Sequence, residues 1–245
     1  ACASGAVAIA HASRLVASGA VKLAIAGGVD AASRFVHVGF DALGALASGR
    51  PKPFRMGRDG LVLGEGAGIV VLAADDDASA CRTRGRVLGA GASCDARHIT
   101  APDREGAGLA DAIRRATHDA RDVLDPGRTP YVVHLHGTAT PFNDAMEARA
   151  LGLALGSNGR DAAAYGTKHA IGHTLGASGA LETVVTLAAL WQRIVPPTAS
   201  DAPMDPDCAV GISNDLRRSD ATVALKLSAA FGGMNCALWL GAAPR

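Results

Sequence analysis

Cys2 lies in the run Ala1-Cys2-Ala3-Ser4-Gly5-Ala6, at the start of an Ala-rich segment with helical character. A thiol at a helix N-terminus meets free backbone N–H groups and the positive end of the macrodipole, and both favour thiolate. Downstream, His136-Gly137-Thr138-Ala139-Thr140 leads into Asn143-Asp144, and Lys168 is followed by His173, Gly176-Ala177-Ser178-Gly179 and Glu182. Phe231-Gly232-Gly233 comes last. Glycines this dense beside a histidine let a long, thin substrate approach the backbone. Phe231 on a glycine hinge offers a bulky lid, and its N–H can serve as an oxyanion donor. One thiol, two histidines and a lysine, each among small residues, point to nucleophilic acyl transfer.

Each piece alone has a plainer meaning. A lone cysteine after alanine is more often a buried core residue, and Cys81, Cys94, Cys208 and Cys236 keep that assignment. A strand-end histidine is more often structural than catalytic. His11, His37, His98, His118, His134 and His169 have no spacing that demands function, although His134 and His136 share one strand face. Gly64-Glu65-Gly66-Ala67-Gly68 lacks the GxGxxG spacing of a nucleotide loop and precedes a strand, so a turn is expected there. Asp75-Asp76-Asp77 is a solvated face rather than a metal site.

The elements that must position these groups follow from periodicity and breakers. A helix is predicted over 5–18, with Val7, Ala8, Leu15 and Val16 on one side and Gly19 as its stop. A short buried strand over 22–26 turns at Gly27-Gly28, and 41–60 form a surface loop. Strands at 61–63 and 69–72 flank the glycine turn, and the acidic run with the Arg-rich segment 82–86 marks a surface helix or a seam between subdomains. Then come a strand over 86–93 and a helix over 105–121 with Leu109, Ile113, Ala116 and Ala120 inward. A strand over 131–135 delivers His136, and a helix capped by Asn143 runs to Gly156. A helix over 179–195 is closed by Pro196-Pro197, and strands at 208–213, 222–228 and 235–241 end the chain. Alternating strands and helices imply a layered α/β fold with helices on mixed sheets.

Composition sets the outer bounds. The 245 residues are 49% apolar and 19% charged with a net charge of +1, an ordinary globular balance that gives no electrostatic case for nucleic acid. Five scattered cysteines without a CxxC argue against zinc and against a disulfide framework, and fit a reducing cytosol. No apolar stretch reaches the roughly 20 residues of a membrane span. The chain opens at Ala1 with its best nucleophile second, lacking the strand and turn that normally aim such a helix, so a fragment without its N-terminal part is expected.

Taken together these blocks resemble the β-ketoacyl-ACP synthases of the condensing-enzyme group, especially the elongating type-II enzymes. The resemblance rests on Ala1 to Ala6, Arg58-Asp59-Gly60, Gly64 to Gly68, His98-Ile99-Thr100-Ala101-Pro102-Asp103, His136 to Asp144, Lys168 to Gly179 with Glu182, and Phe231-Gly232-Gly233, all in the family's order. It implies a thiolase-like α-β-α-β-α fold with an incomplete N-terminal half. Residues 1–80 would be the remainder of the nucleophile-bearing half, and 86–245 the half bearing the histidines and lysine. It further implies that Cys2 takes an acyl chain from the phosphopantetheine of acyl carrier protein, with the N–H groups of Cys2 and Phe231 as oxyanion hole. His136 and His173 would promote malonyl-ACP decarboxylation, Lys168 paired with Glu182 would set the local electrostatics, and Thr138 and Thr140 would bind pantetheine. Phe231 would gate the acyl pocket. No metal or organic cofactor is implied; the partners are acyl carrier protein and a second copy or a paralogue, in the cytoplasm. Two imidazoles can donate to an enolate without full charge if their sites keep them neutral.

The chain departs from the family where Leu227-Ser228-Ala229-Ala230 replaces the usual Asn-Ser-Phe-Gly, and where Gly166 stands in place of a common Ser. An Ala before Phe231 should stiffen the gate if that position needs unusual φ/ψ, and the lost aromatic should enlarge the acyl pocket. The departures leave a type-II polyketide or polyene ketosynthase open beside fatty-acid elongation. A non-catalytic chain-length-factor-like partner is disfavoured by the retained Cys2, His136, His173 and Lys168, and a thiolase or starter-unit synthase by the two His blocks with Lys168.

Overall fold

The computed structural model describes residues 1–75 and 83–243. Cys81 and most of the segment expected as a seam lie outside these. The centre is a mixed sheet in the order β3 (Gly85–Cys94), β9 (Met234–Ala242), β8 (Val223–Ala229), β4 (Tyr131–His134) and β5 (Ala163–Tyr165). β4 runs parallel to β5 and β8, whereas β9 is antiparallel to β8 and β3. Side chains alternate across it. Val133, Leu135, Leu225, Leu227 and Trp239 join Leu109, Ile113, Met146 and Leu151 in the largest core cluster, on the face covered by α3 (Ala107–Asp119) and α4 (Asn143–Leu155). Each such fully buried side chain contributes about 1.5–3 kcal/mol.

The opposite face carries His134, Lys226, Cys236, Leu238 and Leu240 toward α1 (Ser4–Ala17) and α7 (Ser178–Gln192). Beyond that helix pair lies a second, antiparallel sheet of β1 (Leu23–Asp30) and β2 (Gly66–Ala73). The described chain is therefore layered α-β-α-β, an α/β architecture as expected. The outer face of β1 and β2 exposes Leu23, Ile25, Val29, Ile69 and Val71. No helix among the described residues is long and apolar enough to cross a membrane.

Several local expectations need correction. The buried stripe of α1 is Gly5, Ala6, Ile9, Ala10, Ala12 and Val16, not one led by Val7, Ala8 and Leu15. Gly27 and Gly28 do not turn; β1 continues through them, and Gly66 to Gly68 begin β2. Residues 61–63 make only bridges, pairing Leu61 with Leu46 and Leu63 with His173. The irregular stretch 43–65 is not all surface, because Phe54 is fully buried against the core. A helix, α2 (Arg34–Ala42), precedes it, with the Ser33 hydroxyl accepting from the Val36 N–H. Asn143 opens α4 without capping it and donates to Asp144 instead. α7 stops at Gln192 because Arg193 takes a left-handed φ of 56°, and β6 (Ile194–Val195) follows, paired with β7 (Arg217–Arg218). Residues 206–208 form a 3-10 turn, and only Gly211 of the expected 208–213 strand bridges, to Ala163. The short α5 (Ser157–Asp161) and α6 (Lys168–Ile171) complete the helices among the described residues.

Candidate active site

Three loops leave the C-terminal ends of the parallel neighbours β4, β5 and β8, and they carry residues 136–140, 166–168 and 230–233. Open α/β sheets bind ligands at this end of their strands. The fourth contribution, Cys2, comes from across the helix layer, one residue before the Ala3 N-cap of α1. The crossing of α1 and α7 is lined with small residues. A Cβ on Gly5 would sit 2.8 Å from the Ala180 nitrogen, and one on Gly179 would sit 2.5 Å from the Ala6 nitrogen. On the far side, a Cβ on Gly28 would reach within 2.4 Å of the Gly176 oxygen. Only glycine allows these main-chain contacts.

The 136–140 loop is held from α4. The carboxylate of Glu147 accepts from the His136 and Gly137 N–H groups, the latter at 2.9 Å. Asp144 accepts from Phe54 N–H at 2.7 Å and Ala139 N–H at 3.2 Å. Gly137 (φ 48°) and Ala139 (φ 62°) both take left-handed φ, which this clamp sustains. Burial raises both acids, Asp144 to about 6 and Glu147 to about 7.

Lys168 and Glu182 form a buried ion pair, 2% and 1% exposed. Lys168 also donates to the His136 carbonyl at 2.7 Å and lies 3.3 Å from His136 Nδ1. The His136 and His173 rings stand edge to face, 5.4 Å apart. The backbone of His173 is held between Val62 O and Gly64 N–H, and its Nδ1 is 2.8 Å from Ser178 Oγ. Burial, then the nearby Lys168, hold both imidazoles neutral, His136 well below its ordinary value and His173 at about 3. Burial raises Glu182, but Lys168 and Lys226 override it and hold the acid at about 2.

Cys2 is buried, and its thiol feels Lys168. Desolvation raises the thiol above its ordinary value, with Lys168 only partly opposing it, so the expected bias toward thiolate does not hold at rest. The structure therefore brings Cys2, His136, Lys168, His173 and Glu182 into one electrostatic neighbourhood. Thr138 and Thr140 lie on the same loop as His136, with their hydroxyls 2.9 Å apart. Phe231 is exposed on the β8–β9 turn and stacks on Phe40 of α2, with centroids 5.6 Å apart. Gly232 (φ 83°) and Gly233 (φ 75°) supply the hinge, and Ala230 takes no left-handed φ, so the expected stiffening there does not arise. Ala229 packs into the core with Leu227, on the α3 and α4 face.

Glu147, Phe54 and Lys226 were not singled out from the sequence. A polar residue in a helix or strand signals nothing until its partner on another element is known, and an aromatic in an irregular stretch shows no periodicity to mark it as core. Among the described residues, no group of three or more His, Cys, Asp or Glu is arranged to hold a metal ion.

Comparison with known proteins places the chain in a family. Residues 1–78 match the family described as beta-ketoacyl synthase, N-terminal domain, and residues 84–201 match its C-terminal domain. The chain belongs to the beta-ketoacyl synthase family. It is 39% identical to 3-oxoacyl-(acyl-carrier-protein) synthase 2 of Synechocystis over 97% of its length, and 36% identical to the Mycobacterium leprae protein of that name over 98%. The chain spans 59% of the length of each relative. Among solved structures, the ishigamide ketosynthase/chain length factor superposes with a TM-score of 0.92 at 34% identity, covering 99% of this chain and 59% of that one. A beta-ketoacyl synthase from Burkholderia phymatum gives 0.91 at 32%, covering 99% and 60%. The thiolase-like fold expected from the sequence is thus the observed one.

Proposed function

We propose that this chain carries the reaction centre of a β-ketoacyl-ACP synthase, an acyltransferase that performs decarboxylative Claisen condensation. Cys2 sulfur attacks the thioester of acyl-ACP, the carrier's thiol leaves, and the N–H groups of Cys2 and Phe231 hold the oxyanion. Malonyl-ACP then loses CO₂, with His136 and His173 donating hydrogen bonds to the enolate. The enolate carbon attacks the acyl-Cys2 carbonyl, Cys2 sulfur leaves, and 3-oxoacyl-ACP is released. Lys168 and Glu182 fix the field around the imidazoles, Thr138 and Thr140 bind the pantetheine arm, and Phe231 gates the acyl pocket above Gly232 and Gly233. The chemistry needs no metal or organic cofactor of the chain's own, because the carrier's phosphopantetheine brings the substrates. The observation that carries this reading is the pair of neutral imidazoles, 5.4 Å apart, beside a buried Lys168–Glu182 pair and a buried thiol.

A second reading, a ketosynthase of a polyketide or polyene pathway, draws support from the relatives. One solved neighbour, 33% identical with a TM-score of 0.88, is a ketosynthase in complex with its chain length factor. Another, 29% identical with a TM-score of 0.93, is a type II ketosynthase complexed with acyl carrier protein and bound to a hexaketide. We take acyl carrier protein as partner, a second copy or a paralogue as the other subunit, and the cytoplasm as the setting. The test is mass-detected condensation by the natural protein containing this sequence, with malonyl-ACP and acyl-ACPs of graded length. Cys2→Ser should abolish extension, and His136→Ala should still permit acylation of Cys2. Unchanged extension by the Cys2 variant defeats the assignment.

A further inference from the structure

Lys226 sits at the middle of β8, a strand whose residues are all buried, and is itself 0% exposed. Its neighbour across the parallel ladder is His134, so both side chains face α7. Its Nζ lies 2.5 Å from Glu182 Oε2, donates to Ser228 Oγ at 2.7 Å, and donates to the Leu227 carbonyl. The carboxylate oxygen is held as an ion pair, and the hydroxyl and the carbonyl take the hydrogen bonds. Lys168 takes the other oxygen of the same carboxylate, and its remaining contacts are the His136 carbonyl and Nδ1. One carboxylate therefore bridges two buried ammonium groups.

Of the other titratable groups around Lys226 only Glu147 is acidic, and with burial raising it to about 7 it offsets the charge only in part. His134 bridges the hydroxyls of Thr186 and Thr167 at 2.8 and 3.2 Å. Cys236 is a buried thiol on β9. Glu147 is engaged by the N–H groups of His136 and Gly137. His136 and His173 complete the set, and both feel Lys226. An ammonium beyond what local neutralisation requires is costly to bury. Placed behind two imidazoles, it acts as a preorganised charge for an anion that arrives only with substrate.

Resting on the condensing-enzyme reading above, we propose that Lys226 is a positioning residue for the decarboxylation and condensation steps: it clamps the second oxygen of Glu182, keeps Lys168 turned onto His136, and adds a second positive charge behind the enolate site. Lys226→Met keeps the length and removes the charge. In the natural protein, this variant should slow malonyl-ACP decarboxylation and condensation by about 10- to 100-fold in kcat, while single-turnover acylation of Cys2 stays within about threefold. Nitrogen NMR of the imidazoles should show His136 losing its single fixed tautomer, which a merely structural role would not produce. Ser228→Ala, which keeps the charge but removes one partner, guards against misfolding of the first variant and should slow condensation about three- to tenfold with acylation preserved. Equal condensation by an active wild type and by either folded variant overturns the proposal, as does a parallel loss of acylation and condensation. A wild type that acylates but never condenses overturns the functional reading instead, and is recognised by that arm alone.

Discussion

Lys168 meets His136 twice, donating to its carbonyl at 2.7 Å and reaching its Nδ1 at 3.3 Å. An ammonium has only donors, so Nδ1 must accept and the ring proton sits on Nε2. A backbone contact and a ring contact from one side chain thus set both where the imidazole stands and which nitrogen is protonated. Lys168→Met should release the tautomer and lower malonyl-ACP decarboxylation by roughly 10²- to 10⁴-fold, the usual share of positioned acid–base groups. Imidazole nitrogen shifts and CO₂ release measure the two effects separately, and a single unshifted tautomer in the variant would count against this role.

Glu182→Gln leaves two ammonium groups buried without their shared carboxylate. Breaking a buried pair by removing one partner typically costs about 3–5 kcal/mol. Urea unfolding should show a loss of that order, and a loss under about 1 kcal/mol would mean that the two lysines find other partners.

Gly179→Ala drives a methyl against Ala6, whose nitrogen would lie 2.5 Å from the added carbon. Overpacking of this kind costs about 1–3 kcal/mol. Because the contact lies where α1 crosses α7, Cys2 acylation should slow as well. Thermal unfolding and a mass shift on Cys2 report the two effects, and wild-type values for both would show that the crossing can relax.

Phe40→Ala removes the ring stacked on Phe231. Such pairs contribute about 0.5–1.5 kcal/mol beyond area burial. With the gate unsupported, the profile of accepted acyl lengths should broaden while decarboxylation persists. An unchanged chain-length profile would separate the stack from gating.

Acid should destabilise the fold. Burial, foremost, lowers His134 and His173 to about 3 and takes His136 well below 6.5. Unfolded, each binds a proton near 6.5, so their contribution is full above that pH and is lost as pH falls toward the folded values. Glu182, at about 2 against an ordinary 4.5, adds to the loss below pH 4.5. Asp144 and Glu147, raised to about 6 and 7 by burial, act oppositely; their contribution is present below their ordinary values and lost as pH rises through the folded ones. Three imidazoles outweigh two carboxylates between pH 6.5 and 4.5, at about 1.4 kcal/mol per proton per pH unit. The melting temperature should therefore fall steadily across that interval, and a flat or rising midpoint would contradict the balance.

Much of the site was legible in order along the chain, because glycines and hydroxyls crowd the reactive side chains and tolerate few other arrangements. Tyr131 to His136 was plain from its apolar run ending at a polar group, and α3 from Leu109, Ile113 and Ala116 at helical spacing. Gly27-Gly28 misled, since paired glycines ordinarily mark turns; here they are required by the close backbone of Gly68 and Gly176. α2 escaped notice because it buries no residue, leaving its capping Ser33 as the chief local sign. Lys226 breaks an apolar strand, and nothing local distinguishes a surface charge from a core one. Its meaning depends on Glu182, 44 positions earlier on another element.

Where α1 crosses α7, Gly5 and Gly179 lie against the main chain and methyls of Ala180 and Ala6, with no room for a larger side chain at either glycine. The position of the Cys2 end of α1 is accordingly set by main-chain contacts at its crossing with α7. The proposed gate stands elsewhere, where Phe231 stacks on Phe40 of α2. A change of side chain at Phe231 or Phe40 would therefore leave the α1–α7 contact untouched.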